Sequence, residues 1–247
     1  MTATEFHVLP TVEGLAQAAA LFIVELARER IQAQERFTIA LSGGSTPRRL
    51  YEILASPEYA EGIAWVKWHV FWSDERCLPP DHRDSNYRMA KETLLDRVPL
   101  PSHQIHRMRG EAVLQESAEE YERALLQHFR PSEPALDLIL LGMGEDGHTA
   151  SLFPGTDALR EERRLVVANP VPHLNTHRMT FTLPLINMAK AVAFLVSGAP
   201  KAQALRQVVE PAPGEHPLPA GLVRPGSGSA HWFLDRDAAN HLEKVSA

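Results

Sequence analysis

The chain has 247 residues, 44% of them hydrophobic and 23% charged, and 25 basic against 31 acidic side chains give a formal net charge of −6. That is ordinary globular composition, enough for one large α/β domain over residues 1–247, and its acidic balance argues against a general nucleic-acid binder while leaving room for a locally basic anion pocket. The single cysteine, Cys77, excludes an internal disulfide; the apolar stretch 15–27 carries Gln17 and Glu25 and lacks a basic leader, so no signal peptide or membrane span is expected and cytoplasmic residence is the default.

Residues 12–33 place Leu15, Ala19, Phe22, Ile23 and Leu26 at helical spacing and predict a covering helix. Phe37–Leu41 reads as a strand that runs into Ser42-Gly43-Gly44-Ser45-Thr46-Pro47. Pro47 suits a first helical position, and Thr46 is the expected N-cap. The helix beyond presents Leu50, Tyr51 and Leu54 on one face. A strand, a glycine loop and a helix in that order offer free N–H groups to an anion, although Ser-Gly-Gly also serves merely to turn a chain. The loop is not a Walker loop, since no Gly-Lys-Ser/Thr closes it, nor a nucleophile elbow, since Pro47 stands where the last glycine belongs.

Residues 66–72 predict a second strand, with Trp68, Val70 and Trp72 alternating, and it discharges into Ser73-Asp74-Glu75-Arg76. After Pro79-Pro80-Asp81, the run Asp84-Ser85-Asn86-Tyr87 is a good helix start, with Met89, Leu94 and Leu95 on the buried face. Another helix is expected over 116–129.

Leu138–Leu141 is a short continuous apolar run, the pattern of a strand buried on both faces, and it is broken abruptly by Gly142, Gly144, Glu145, Asp146, Gly147 and His148. Asp146 and His148 flank one glycine, a spacing that lets a carboxylate and an imidazole enter one pocket. The glycines formally match the dinucleotide fingerprint, but that motif needs a long helix opening at the third glycine, and Pro154-Gly155 stops the chain within about two turns. Beyond it, 164–168 and 177–182 read as strands joined through Asn169-Pro170-Val171-Pro172, and Pro184 opens a short helix. Ala191–Val196 is another buried strand, ending in Ser197-Gly198 with Lys201 just inside the next helix. The Pro- and Gly-rich stretch 210–229 reads as a long loop before a last strand at 230–234 and a frayed terminal helix. No internal repeat is apparent.

Four strands thus end in unusual polar sequence, and in a parallel sheet their carboxyl ends share one edge, where open α/β sheets bind ligands. Phosphate there would meet the glycine loop and the cations Arg76, Arg178 and Lys201. His173 and His177 have a ligand-pair spacing, but Pro172 and Asn175-Thr176 make a loop of it, no Glu accompanies the pair, and thiolate sites need more than one cysteine; no metal is expected.

Leu41-Ser42-Gly43-Gly44-Ser45-Thr46-Pro47, Trp72-Ser73-Asp74-Glu75-Arg76, Asp84-Ser85-Asn86-Tyr87, residues 142–154 and Val196-Ser197-Gly198-x-x-Lys201 together resemble the glucosamine-6-phosphate isomerase/6-phosphogluconolactonase family, in unbroken order over about residues 10–240. The resemblance implies an α/β, NagB-like fold: a Rossmann-like, mostly parallel sheet flanked by helices, with an additional small strand region. It is closest to the lactonase branch, which implies hydrolysis of 6-phospho-D-glucono-1,5-lactone to 6-phospho-D-gluconate in the oxidative pentose phosphate pathway. No cofactor, nucleic acid, membrane or obligate protein partner is implied. In the deaminase branch, Asp-Gly-His is followed by Phe-Asn-Glu-Pro, whose Glu supports ring opening; here Phe153 stands at that place, and Arg76 stands where those enzymes have Tyr. Both departures favour the lactonase. A sugar-phosphate-sensing module would carry a DNA-binding domain, for which the chain has neither spare length nor a basic recognition segment.

A lactone is an activated ester, so water can attack once a base takes its proton and the oxyanion is steadied. An imidazole, with an unperturbed pKa of about 6.5, suits that task, and His148 is the expected base with Asp146 as its orienter. Arg76 or loop N–H groups would face the oxyanion, and Ser42, Gly43, Gly44, Ser45 and Thr46, with Asp74, Arg178 and Lys201, would hold substrate and phosphate. The sequence leaves open the division of roles among the three cations, and whether Asp74 touches substrate.

Overall fold

The apolar runs lie side by side and point the same way. In the computed structural model, which describes residues 3–243, β1 (Ala3–Leu9), β2 (Phe37–Leu41), β3 (Trp68–Trp72), β5 (Leu138–Leu141), β8 (Ala191–Val196) and β9 (Ser229–Asp235) form one sheet in the order β1-β9-β8-β5-β2-β3. Every neighbouring pair in it is parallel. A smaller antiparallel sheet holds β4 (Asp74–Arg76), β7 (Thr176–Phe181) and β6 (Val166–Val171), in the order β4-β7-β6. The chain leaves β2 for β3 on one side and β5 for β8 on the other, so the order reverses between β2 and β5. The crevice at their carboxyl ends is the switch point where such sheets bind ligands.

The helices are α1 (Val12–Gln34), α2 (Ser45–Leu54), α3 (Pro57–Ala60), α4 (Asn86–Ala90, continued by a π-turn over Lys91–Leu95), α5 (Leu114–Phe129), α6 (Leu183–Asn187) and α7 (Ala202–Val209). Thr11 starts α1 by accepting the Gly14 N–H, and the buried stripe of that helix packs on β9, β8 and β2. In β2, β5 and β8 every residue is buried, which is why they read as unbroken apolar runs rather than alternations. Phe194 stacks on Trp232 at 3.8 Å, and each such side chain taken out of water contributes roughly 1.5–3 kcal/mol. Buried Asp137, at the entry to β5, accepts from the Thr38 N–H and hydroxyl and pairs with Lys190 at 2.9 Å, tying β2 and β5 to the start of β8.

Several sequence expectations are corrected. β1 reads poorly because it is an edge strand whose residues are exposed or half-buried. Thr46 is not the N-cap of α2: Gly44 takes that place, with φ 112°, and Thr46 instead hydrogen-bonds Ser197 at 2.7 Å. Residues 65–67 form a 3₁₀ turn before β3, and α5 starts two residues earlier than its apolar period. β6 runs through the expected connector to Val171; Pro170 is tolerated because β6 is an edge strand and needs no donor on its outer side. Residues 236–243 are turns rather than a helix, and the remainder of the expected terminal helix lies outside the described residues.

Candidate active site

The crevice between β2 and β5 opens into a cavity of about 330 Å³, lined by the Ser42-Gly43-Gly44 backbone, Asp74, Arg76, Asn86, Gly142 to Gly144, His148, Ala150, Ser151, Phe153, Leu174, Arg178 and Lys201. Of the residues expected from sequence, Ser42, Gly43, Gly44, Asp74, Arg76, His148, Arg178 and Lys201 therefore line one cavity. Ser45 is exposed in the first turn of α2, Thr46 is turned to Ser197, and Asp146 stands behind His148.

The glycine loop is fixed by Tyr51 of α2, whose hydroxyl accepts the Ser42 N–H at 2.9 Å and donates to the Ser42 carbonyl at 2.8 Å. Burial pushes that phenol well above its ordinary pKa, so it stays a neutral donor. Gly43 is required by close approach, because a Cβ there would strike the Asn86 carboxamide. Asn86 donates to the Asp74 carbonyl at 2.9 Å and faces an Asp74 carboxylate oxygen at 3.3 Å; the other oxygen of Asp74 accepts from Ser151 at 2.7 Å. Asp74 thus has its lone pairs engaged by the protein. Glu75 points away and accepts from three backbone N–H groups, those of Arg76, Asn86 and Tyr87, and from the Ser85 hydroxyl, pinning the start of α4; burial raises its pKa against those bonds.

In the loop after β5, Gly144 donates to the His148 carbonyl at 2.8 Å and Thr149 closes back on the Gly142 carbonyl at 2.8 Å. The Asp146 carboxylate lies 2.6 Å from Nδ1 of His148 and also accepts its backbone N–H at 3.1 Å. A carboxylate acceptor places the proton on Nδ1 and leaves Nε2 with its lone pair. Partial burial pushes the Asp146 carboxyl upward, but the His148 N–H and imidazole outweigh it and hold the group below its ordinary value. Any side chain at Gly144 would collide with this pair, and Gly147, at φ 75°, packs against Leu218 with no room for a Cβ. Phe153 stacks on the imidazole at 4.1 Å, and Ala150 sits at φ 47°, in the left-handed region that favours glycine. No helix opens at Gly147, as the rejected dinucleotide motif would require.

Across the cavity, Arg76 and Arg178 are direct partners in the β4–β7 pairing, so their side chains leave the same face. Arg76 donates to the Asp84 carbonyl, and Arg178 to Thr176 at 2.9 Å and the His177 carbonyl at 3.2 Å. Neither has a carboxylate within ion-pair distance among the described residues. Burial, then the neighbouring Arg76, lowers the pKa of Arg178. Two guanidiniums opposed without a counter-anion cost energy unless an anion joins them. Lys201 enters from the β8 side, its ammonium 3.9 Å from Glu145. Cys77, beside Arg76, is pushed by burial to about 11 and offers no thiolate at neutral pH. His173 and His177 contribute to no metal-holding group among the described residues.

Sequence reasoning used Asn86 only as a helix start and did not assign Ser151 a role. Their signal lay in the motifs around them, where a buried Asn and Ser adjoin a buried carboxylate.

Fold and cavity together define a Rossmann-like α/β protein whose cavity holds a carboxylate-supported imidazole and, opposite it, two adjacent guanidiniums. The chain belongs to the glucosamine-6-phosphate isomerase/6-phosphogluconolactonase family, whose model matches residues 10–232. It is 44% identical over 243 residues to a 6-phosphogluconolactonase of Nostoc sp., covering 96% of this chain and 97% of that one, and 41% identical to one of Synechocystis sp., covering 97% and 99%. The structure of 6-phosphogluconolactonase from Trypanosoma brucei superposes with a TM-score of 0.87 at 29% identity, covering 98% of this chain and all of that one. A monomeric glucosamine-6-phosphate deaminase shares the fold at TM-score 0.81 and 22% identity, over 96% of this chain and all of that one.

Proposed function

We propose that the chain hydrolyses 6-phospho-D-glucono-1,5-lactone to 6-phospho-D-gluconate with His148 as general base. The observation that carries the reading is the 2.6 Å contact between Asp146 and His148 Nδ1, in the same cavity as the Arg76–Arg178 couple that has no carboxylate partner among the described residues. The phosphate dianion sits between the two guanidiniums, with the N–H groups of the glycine loop at its edge, because only a doubly charged group offsets two opposed cations. That places the lactone carbonyl towards His148. Nε2 removes a proton from water as the oxygen attacks C1; Lys201 and loop N–H groups steady the oxyanion. The tetrahedral intermediate then collapses, the bond from C1 to the ring oxygen breaks, and His148 returns its proton to that oxygen. Asp74, held by Ser151 and Asn86, braces the wall. No covalent nucleophile and no cofactor enter the reaction.

Phe153 separates this reading from the deaminase one: it presents a ring, not a carboxylate, against the imidazole. The test supplies the phosphorylated lactone and glucosamine 6-phosphate in parallel, measuring acid and ammonia release above the lactone's spontaneous hydrolysis. Acid release alone is expected, with k_cat falling about 10²- to 10⁴-fold in His148→Asn at similar KM. Ammonia at comparable turnover, or an unaffected His148→Asn, overturns the proposal.

A further inference from the structure

Away from the cavity, three histidines that are distant in sequence meet at the outer edge of the large sheet. His69 lies on β3, His106 follows the 3₁₀ turn Ser102–Gln104, and His128 lies in the last turn of α5. One ring nitrogen of each lies within 4.8 Å of one from each of the others. Each ring also carries a buried nitrogen with no hydrogen-bond partner: Nδ1 of His69, and Nε2 of His106 and of His128. Buried polar atoms are normally satisfied, so three unpartnered nitrogens on rings that meet in one small volume call for a common partner. Stacking of His106 on Phe71 at 4.4 Å, and the tilted packing of His69 against His128 at 4.5 Å, explain why the rings are there but do nothing for the nitrogens.

We infer that His69, His106 and His128 form a metal site for a first-row divalent cation of the zinc type, with water as the fourth ligand. Three neutral imidazoles with one open position are a recognised zinc donor set, and imidazole suits zinc, copper and nickel while magnesium and calcium call for oxygen. Burial, ahead of the neighbouring histidines, holds His106 and His128 down to about 4, so both are in the ligating form at neutral pH. Metal–nitrogen bonds of about 2.0–2.1 Å at tetrahedral angles need the nitrogens roughly 3.3 Å apart, so side-chain rotation closes the cluster by up to about 1.5 Å. Arg36 is the neighbouring cation and His103 a neighbouring titratable ring, and no carboxylate pairs with the three rings among the described residues. The ion therefore keeps its charge, which favours binding hydroxide or another anion in the open position.

The ion would staple the edge strand to its covering helix. β3 has β2 on one side only; on the other, the chain makes a single bridge, Val70 to Ile105, and a hydrogen bond from the His106 N–H to the Val70 carbonyl. A cation shared by His69, His106 and His128 ties that short contact to α5. The site lies at the amino-terminal half of β3, whereas the candidate active site follows its carboxyl end, so the ion stands apart from the chemistry proposed for that cavity.

The test strips the full chain with a chelator and titrates it with zinc chloride alone, reading stoichiometry by calorimetry and metal analysis, and geometry from the visible spectrum with cobalt(II) as the probe. Expected are one zinc per chain, an intense four-coordinate cobalt spectrum, a melting temperature that rises with zinc concentration, and loss of all three in His106→Gln and in His128→Gln. His148→Gln, and His231→Gln in the second histidine-containing group, Glu5, His7 and His231, should leave binding intact. Circular dichroism checks that the variants fold; if one does not, the wild-type cobalt spectrum decides between four-coordinate nitrogen ligation and the weak spectrum of the hexa-aqua ion. No saturable binding at submillimolar zinc, a six-coordinate spectrum, or binding lost with His148 or His231 but kept without His128 overturns the proposal.

Discussion

Replacing Asp146 by Asn tests the imidazole assignment more sharply than deleting the imidazole, because it leaves the base in place and removes only its partner. Size and the reach to Nδ1 are retained; the negative charge is lost, and the amide presents a donor as readily as an acceptor. With 2.6 Å between the atoms, a charge interaction is worth about 1.6 kcal/mol in bulk water and about 6 kcal/mol at an effective dielectric of 20. The two side chains are 43% and 30% exposed, so solvent screening keeps the effect in the lower part of that range, roughly 2–3 kcal/mol. Because the imidazolium exists only as the proton leaves water, this loss falls on k_cat, about 30- to 150-fold, with KM for the phosphorylated lactone little changed. Any switch of the proton from Nδ1 to Nε2 adds to it. The assay is initial-rate acid release across pH 5–8, corrected at each point for spontaneous hydrolysis. An Asp146→Asn enzyme with near wild-type kcat, or one defective only in KM, refutes the carboxylate-supported base.

Arg178→Gln should raise KM for the phosphorylated lactone by about 10- to 150-fold, the range of one charge-assisted hydrogen bond, while hydrolysis of unphosphorylated gluconolactone, already poor, barely changes; an equal loss on both substrates would remove the phosphate from Arg178. The metal-free chain should lose stability as pH falls from about 6.5 towards 4, because the unfolded chain takes up protons on His106 and His128 that the folded one refuses until about 4. His128→Gln should flatten that slope in thermal melts, and an unchanged slope would show that neither ring is held neutral by the fold.

The parallel sheet was legible because its strands are buried on both faces: Phe37–Leu41, Leu138–Leu141 and Ala191–Val196 carry their burial in an unbroken apolar run. β1 and β4 carry no such mark. The first is an edge, and the second is three polar residues whose strand pairing depends on β7, a hundred positions away. The site was readable wherever chemistry was contiguous, as in Asp146-Gly147-His148. Where the fold made the neighbourhood less could be read: Arg76 and Arg178 were expected in one pocket but not as direct partners of β4 and β7, and His69, His106 and His128 have separations in sequence that match no ligand spacing. Thr46 shows a local rule overruled, since Gly44 supplies the cap and the threonine is spent on a contact with Ser197.

Every side chain assigned to chemistry lies at or before Lys201, yet the turn that aims His148 is completed from beyond it. Leu218 fills the space where a Cβ on Gly147 would stand, and the Ala220 N–H donates to the Gly147 carbonyl at 3.0 Å. The Pro- and Gly-rich segment that reads as a long loop is therefore a mould for the turn that carries His148. β9, which it delivers, is the strand on which β1 pairs, so the two ends of the sequence close the sheet together. A chain cut after Lys201 would keep every side chain given a role in the proposed hydrolysis and still lose the Leu218 and Ala220 contacts that hold the His148 turn.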